Sequence, residues 1–122
     1  MSNTDSSIGN VHNVGHFEIP AEDAESLRNF YSSLFGWQFE KARVTPGYWM
    51  IKNAGISGGL MKKEHPEQMP SLYISVESID EYINKAQGLG AKIIKNKQEV
   101  DDGFYAIMED PQGNTFGIWQ GK

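Results

Sequence analysis

Val14-Gly15-His16-Phe17-Glu18-Ile19-Pro20 alternates polar His16 and Glu18 with apolar Phe17 and Ile19. A period of two marks a strand with one wet and one dry face, and Pro20 stops it. The second half of the chain starts the same way, with Leu72-Tyr73-Ile74-Ser75-Val76. In both halves a helical segment comes next. Asp23 is suited to cap the first, and Leu27, Phe30, Tyr31 and Leu34 recur at helical spacing before Gly36. In the second half Ser78 or Asp80 can cap, Ile79, Ile83 and Ala86 line one face, and Gly88 and Gly90 close the helix.

Three more strands complete each half. In the first they are Trp37–Lys41, Tyr48–Lys52 and Ile56–Lys62, with turns at Pro46-Gly47 and Asn53-Ala54-Gly55. In the second they are Ala91–Ile94, Phe104–Glu109 and Thr115–Gln120, the last preceded by the turn Asp110-Pro111-Gln112-Gly113-Asn114. The polar segment 63–70 holds two prolines and reads as the internal linker. The order is β-α-β-β-β, linker, β-α-β-β-β. Residue identities between the halves are weak, so it is the pattern of elements that repeats. The expected organisation is a disordered N-terminal arm at 1–10, then one α+β domain over 11–122. Module one is 11–62, the linker 63–70 and module two 71–122.

Composition narrows the function classes. The chain has 122 residues, the size of one domain. It has no cysteine, so disulfides, thiolate nucleophiles and cysteine metal sites are excluded. Lys+Arg is 11 and Asp+Glu 16, a net charge of −5 that lacks the basic footprint of a nucleic-acid binder. No apolar run is long enough to span a bilayer, and the first ten residues lack the pattern of a signal peptide. A soluble cytoplasmic protein with neither membrane nor nucleic-acid partner is expected. Phosphate-loop, Gly-x-Ser-x-Gly and His-Glu-x-x-His signatures are missing from the sequence.

The chain resembles the glyoxalase/bleomycin-resistance/extradiol-dioxygenase proteins, the vicinal oxygen chelate superfamily. The resemblance rests on the opening strand with its histidine, on Phe30-Tyr31 and Phe35-Gly36-Trp37, and on the closing run Asp110-Pro111-Gln112-Gly113-Asn114-Thr115-Phe116-Gly117-Ile118-Trp119. It runs from about Val14 to Gln120. It implies two tandem βαβββ modules forming a curved mixed-sheet cup with helices outside, a ligand or metal within, and a homodimer. On that picture Phe17/Ile19, Leu72/Ile74/Val76 and Phe116/Ile118 pack under the helices. His16/Glu18, Ser71/Tyr73/Ser75 and Thr115/Gly117/Trp119 face the cup.

Metal-dependent relatives hold a divalent ion with side chains from the first and last strand of each module. The matching positions here are His16, Ser71, Gly117 and a residue at or near Gly59. Only His16 is a competent ligand, whereas a catalytic site needs about three. No metal and no cofactor is therefore expected. Glu18 shares the face of His16, and the pair are the candidate catalytic residues. His16 serves there either in hydrogen bonding and acid–base work or as a satisfied structural histidine. The candidate ligand-binding residues are Trp49, Ser71, Tyr73, Tyr105, Gly117 and Trp119, an aromatic wall for a flat apolar molecule, with Tyr48 beside them. Trp37 is assigned to the core. Gly58-Gly59 and Gly117 either leave room for a ligand or only permit sheet curvature. The function expected is small-molecule binding without metal. A metal-dependent lyase or dioxygenase using His16, and a dimeric interaction domain, are the alternatives.

Overall fold

The computed structural model describes residues 11–122. The expected N-terminal arm, residues 1–10, lies outside them. Among the described residues are eight strands and two helices. They are β1 (Val14–Ala21), α1 (Ala24–Phe35), β2 (Gln38–Lys41), β3 (Tyr48–Lys52), β4 (Ser57–Lys62), β5 (Ser71–Ser75), α2 (Ile79–Gly88), β6 (Lys92–Val100), β7 (Gly103–Glu109) and β8 (Thr115–Gly121). The β-α-β-β-β order expected for each half is present.

The chain divides into two compact units. The first is His16–Pro70. Its strands lie in the order β2-β3-β4-β1, with β1 parallel to β4 and the other neighbours antiparallel. The second is Ser71–Lys122 together with the described residues up to Gly15. Its strands lie in the order β5-β8-β7-β6, with β5 parallel to β8 and the rest antiparallel. The sequence assigned residues 11–15 to module one, but the structure ties them to the second unit. The His12 N–H donates to the Ser75 carbonyl, and the Ser75 N–H donates to that of Asn13 at 2.9 Å. The His12 ring also bonds the Tyr82 hydroxyl at 2.6 Å.

Local signals explain most element boundaries. The Asp23 carboxylate accepts from the Ser26 N–H at 3.1 Å and caps α1. Gly36 ends that helix at φ +76°, the left-handed conformation that glycine adopts without steric cost. Ser78 caps α2, so of the two candidates the serine acts, and the Ile79 N–H is taken by the Gln120 amide oxygen at 2.9 Å. Gly88 is the last residue of α2 and Leu89 its cap, while the left-handed residue is Gly90 at φ +105°.

Each unit has its own core. In the first, Ala21, Ile51 and Leu60 are buried against Phe17, Ile19, Leu27, Trp37, Phe39 and Trp49. In the second, Val76, Ile79, Ile83, Ala106, Met108 and Ile118 are buried, with Phe104 and Phe116 packed on them. Ile74 is half-buried, but Leu72 is 52% exposed and does not pack under a helix as its phase suggested. The docked stripe of α1 also differs from the expected one. Ala24 and Leu27 pack on the core and Tyr31 stacks on Trp37 with ring centroids 5.1 Å apart, whereas Phe30 and Leu34 are 53% and 57% exposed. The cause is Trp37: its indole stands under the C-terminal end of the helix and fixes which edge turns inward. Strand β6 runs six residues beyond the expected Ile94, to Val100. Its polar continuation carries no apolar alternation, and main-chain pairing with β7, broken by register shifts, holds it in place.

Candidate functional site

In the first unit the register places His16 beside Ser57 and Glu18 beside Gly59. Gly59 is in turn opposite Met50 on β3. Tyr48 is two residues from Met50 and shares its face. Its ring lies back across Gly59, where a Cβ would overlap the phenol. Four polar side chains therefore meet on one sheet face. Ser57 Oγ and His16 Nδ1 are 2.8 Å apart. His16 Nε2 and the Tyr48 hydroxyl are also 2.8 Å apart. The same hydroxyl donates to Glu18 Oε2 at 2.9 Å, and Glu18 Oε2 is 3.6 Å from His16 Nε2. The side chains of His16 and Glu18 are 15% and 18% exposed. In such partial burial, charge-assisted hydrogen bonds are stronger than in open water.

The sequence singled out His16 and Glu18, and the structure brings them together. It missed Ser57, and it placed Tyr48 only in an aromatic wall. The available signal was Gly58-Gly59 opposite Tyr48, because a residue without a side chain in a half-buried strand often marks a close approach. Both glycines are filled from neighbouring strands, Gly58 by Phe17 and Gly59 by Tyr48. The reading of open room at Gly59 is corrected accordingly.

The second unit repeats the device. The Tyr73 ring lies across Gly117, its register partner, so Gly117 leaves no open room either. Tyr73 meets Tyr105 edge to face at 6.1 Å. Tyr105 is paired with Trp119, and Trp119 with Ser75, so these residues share one face with Ser71 and Tyr73. Lys95 Nζ donates to the Tyr105 hydroxyl at 3.2 Å. Of the six candidate ligand-binding residues, Ser71, Tyr73, Tyr105, Gly117 and Trp119 thus lie together on that face. Trp49 does not join the Tyr48 face. It is paired with Leu60 on the helix side of the first unit, and the Arg28 guanidinium stacks on its ring 3.7 Å from the centroid.

Residues 16–119 match the family model described as Glyoxalase-like domain. The chain belongs to that family, within the vicinal oxygen chelate superfamily that its sequence resembles. Among curated proteins it is 27% identical over 113 residues to "Putative glyoxylase CFP32" of Mycobacterium bovis, and equally to that of Mycobacterium tuberculosis. The match covers 84% of this chain and 43% of each relative, so the chain spans less than half their length. Among solved structures it is similar to hypothetical protein BH1468 from Bacillus halodurans C-125, with TM-score 0.72, 15% identity, and 91% of this chain and 95% of that one covered. It is also similar to methylmalonyl-CoA epimerase from Mycobacterium tuberculosis, with TM-score 0.67, 12% identity, and 100% and 93% covered. These likenesses show the fold.

Members of the superfamily that use a divalent metal hold it with several carboxylate or imidazole donors. Among the described residues no group of three His, Cys, Asp or Glu could hold an ion. His16 and Glu18 are bound to one tyrosine hydroxyl. The two last-strand positions are glycines, each covered by a tyrosine ring. No helix among the described residues is long and apolar enough to cross a membrane.

Proposed function

We propose that this glyoxalase-like protein binds a small aromatic or otherwise apolar molecule without a divalent metal, and that the His16–Tyr48–Glu18 face supplies its polar anchor. The observation that carries the reading is Tyr48. Its ring fills the space over Gly59, at or near the last-strand position that the family resemblance matches to a metal ligand, and its hydroxyl engages both His16 and Glu18. A hydrogen-bonded cluster beside aromatic and thioether surface (Tyr48 and Met50) suits a molecule with a flat apolar body and few polar atoms. The curated relatives carry the name glyoxylase, and the donor set supports no metal-assisted version of such chemistry here. The aromatic face of the second unit, with Tyr73, Tyr105 and Trp119, supports the same ligand class.

A homodimer is part of the proposal, supported by Phe30, Leu34 and Phe35, each more than half exposed on α1. Light scattering at the mass of one chain would remove it. The main test is calorimetry of the metal-stripped chain with Ni(II), Zn(II), Mn(II) and Fe(II), alongside a tryptophan-fluorescence screen of aromatic compounds. Aromatic binders and no stoichiometric metal uptake are expected. One-to-one metal binding that His16→Ala abolishes would overturn the metal-free reading.

A further inference from the structure

Tyr105 on β7 is the register partner of Trp119 on β8. Their Cβ atoms therefore stand about 5 Å apart on one face of the second unit. Gly103, two residues before Tyr105, lets the indole lie along β7, since a Cβ there would crowd Trp119 Cζ2. The edge of the ring that holds Cζ2 also holds Nε1. At Tyr105 the sense of hydrogen bonding is fixed. An ammonium only donates, so the 3.2 Å contact from Lys95 Nζ uses a lone pair of the phenol oxygen. The phenolic hydrogen has no protein acceptor among the described residues, and neither has the Trp119 N–H, which can only donate. The indole nitrogen is not sealed in the core. Among the described residues the one buried side-chain nitrogen or oxygen without a partner is Arg28 Nε. Both rings are half-buried, so the face they share stays open to solvent.

From these two neighbouring donors we propose that the second unit's face binds flat aromatic molecules bearing a carboxylate, with Tyr105 O–H and Trp119 N–H donating to it. The proposal rests on the aromatic-ligand reading above and names the polar group such a ligand carries. The Lys95 ammonium polarises the phenol it bonds, which strengthens the bond that the phenolic hydrogen makes to an acceptor. Tyr73, edge to face with Tyr105 at 6.1 Å, adds π surface for the ligand ring. A carboxylate replaces the water that both donors lose when the ligand covers them. A hydrocarbon replaces none of it, and an ammonium sets hydrogen against hydrogen, so both leave donors unpaired at a cost.

The test is calorimetry of the full chain at neutral pH with 2-naphthoate, 2-methylnaphthalene and 2-naphthylmethylammonium. Hydrogen bonds to a charged acceptor predict that naphthoate binds about 10-fold or more tightly than methylnaphthalene. The ammonium should bind no tighter than methylnaphthalene. Tyr105→Phe and Trp119→Phe each keep a ring and remove one donor, and each should cut the naphthoate preference about 5-fold. The preference is a ratio within one variant, so a variant that merely loosens the fold weakens all three compounds and leaves it unchanged. An unchanged ratio in both variants would overturn the proposal. So would methylnaphthalene or the ammonium binding as tightly as naphthoate, and either result leaves the aromatic-ligand reading standing. Failure of all three compounds to bind would remove that reading and the proposal with it.

Discussion

The Tyr48 phenol lies across the backbone of Gly59, and a methyl group at position 59 would occupy the same space as the phenol. The second unit has the same relationship between Tyr73 and Gly117. In both units a glycine in the last strand of its module receives a tyrosine from the neighbouring strand. Gly59→Ala should therefore destabilise the protein by ~1–3 kcal/mol, the usual cost of overpacking. Urea denaturation checks this. The double variant Tyr48→Ala/Gly59→Ala should be more stable than the sum of the two single effects predicts, because the first change removes what the second collides with.

Tyr48→Phe keeps the ring over Gly59 and deletes only the hydroxyl. His16 and Glu18 each lose a partner in a part-buried setting, so a loss of ~1–3 kcal/mol is expected in the same denaturation series. A variant as stable as the wild type would mean that the cluster contributes nothing net to folding.

The Asp110 carboxylate is held below its usual value by the Asn114 backbone N–H, then by the Asn114 side chain and the Gln112 N–H. A carboxylate lowered on folding stabilises the native state above its unfolded-state pKa, and that stability is lost as pH falls through the folded value. Asp110→Ala should therefore lower Tm at neutral pH. The gap to wild type should stay constant above about pH 5 and close below 3.8, the unperturbed value. Thermal scans across that range check the sign. A gap that widens in acid would contradict it.

The docked edge of α1 is tested by truncation. Leu27→Ala, on the core side, should cost ~2–3 kcal/mol, and Leu34→Ala, 57% exposed within the single chain, less than ~0.5 when measured at a concentration where the chain is monomeric. As a reference, Ile79→Ala in the second core, where Ile79 is 0% exposed, should cost ~2–5 kcal/mol. Equal losses at Leu27 and Leu34 would restore the helix face that sequence periodicity suggested.

The α1 case shows where sequence reading fell short. Leu27, Phe30, Tyr31 and Leu34 are equivalent by spacing. The choice among them was made by Trp37, which enters after Gly36 and packs under the helix end. Strand β6 shows a second limit. Periodicity detects burial on one face, so a polar strand held by main-chain hydrogen bonds gives no such signal.

By itself the sequence determined the βαβββ repeat, the Asp23 cap, the Asp110–Asn114 turn and the face shared by His16 and Glu18. All of these depend on a few neighbouring residues, through period-two alternation, side-chain capping and the left-handed freedom of glycine. Only the tertiary structure decided that Tyr48, 30 residues from Glu18, would fill the space over Gly59, and that Ser57, 41 residues from His16, would hydrogen-bond its ring. Those contacts arise from strand order and register. Both are set by how the sheet and core of the unit close together, which no local window of sequence contains.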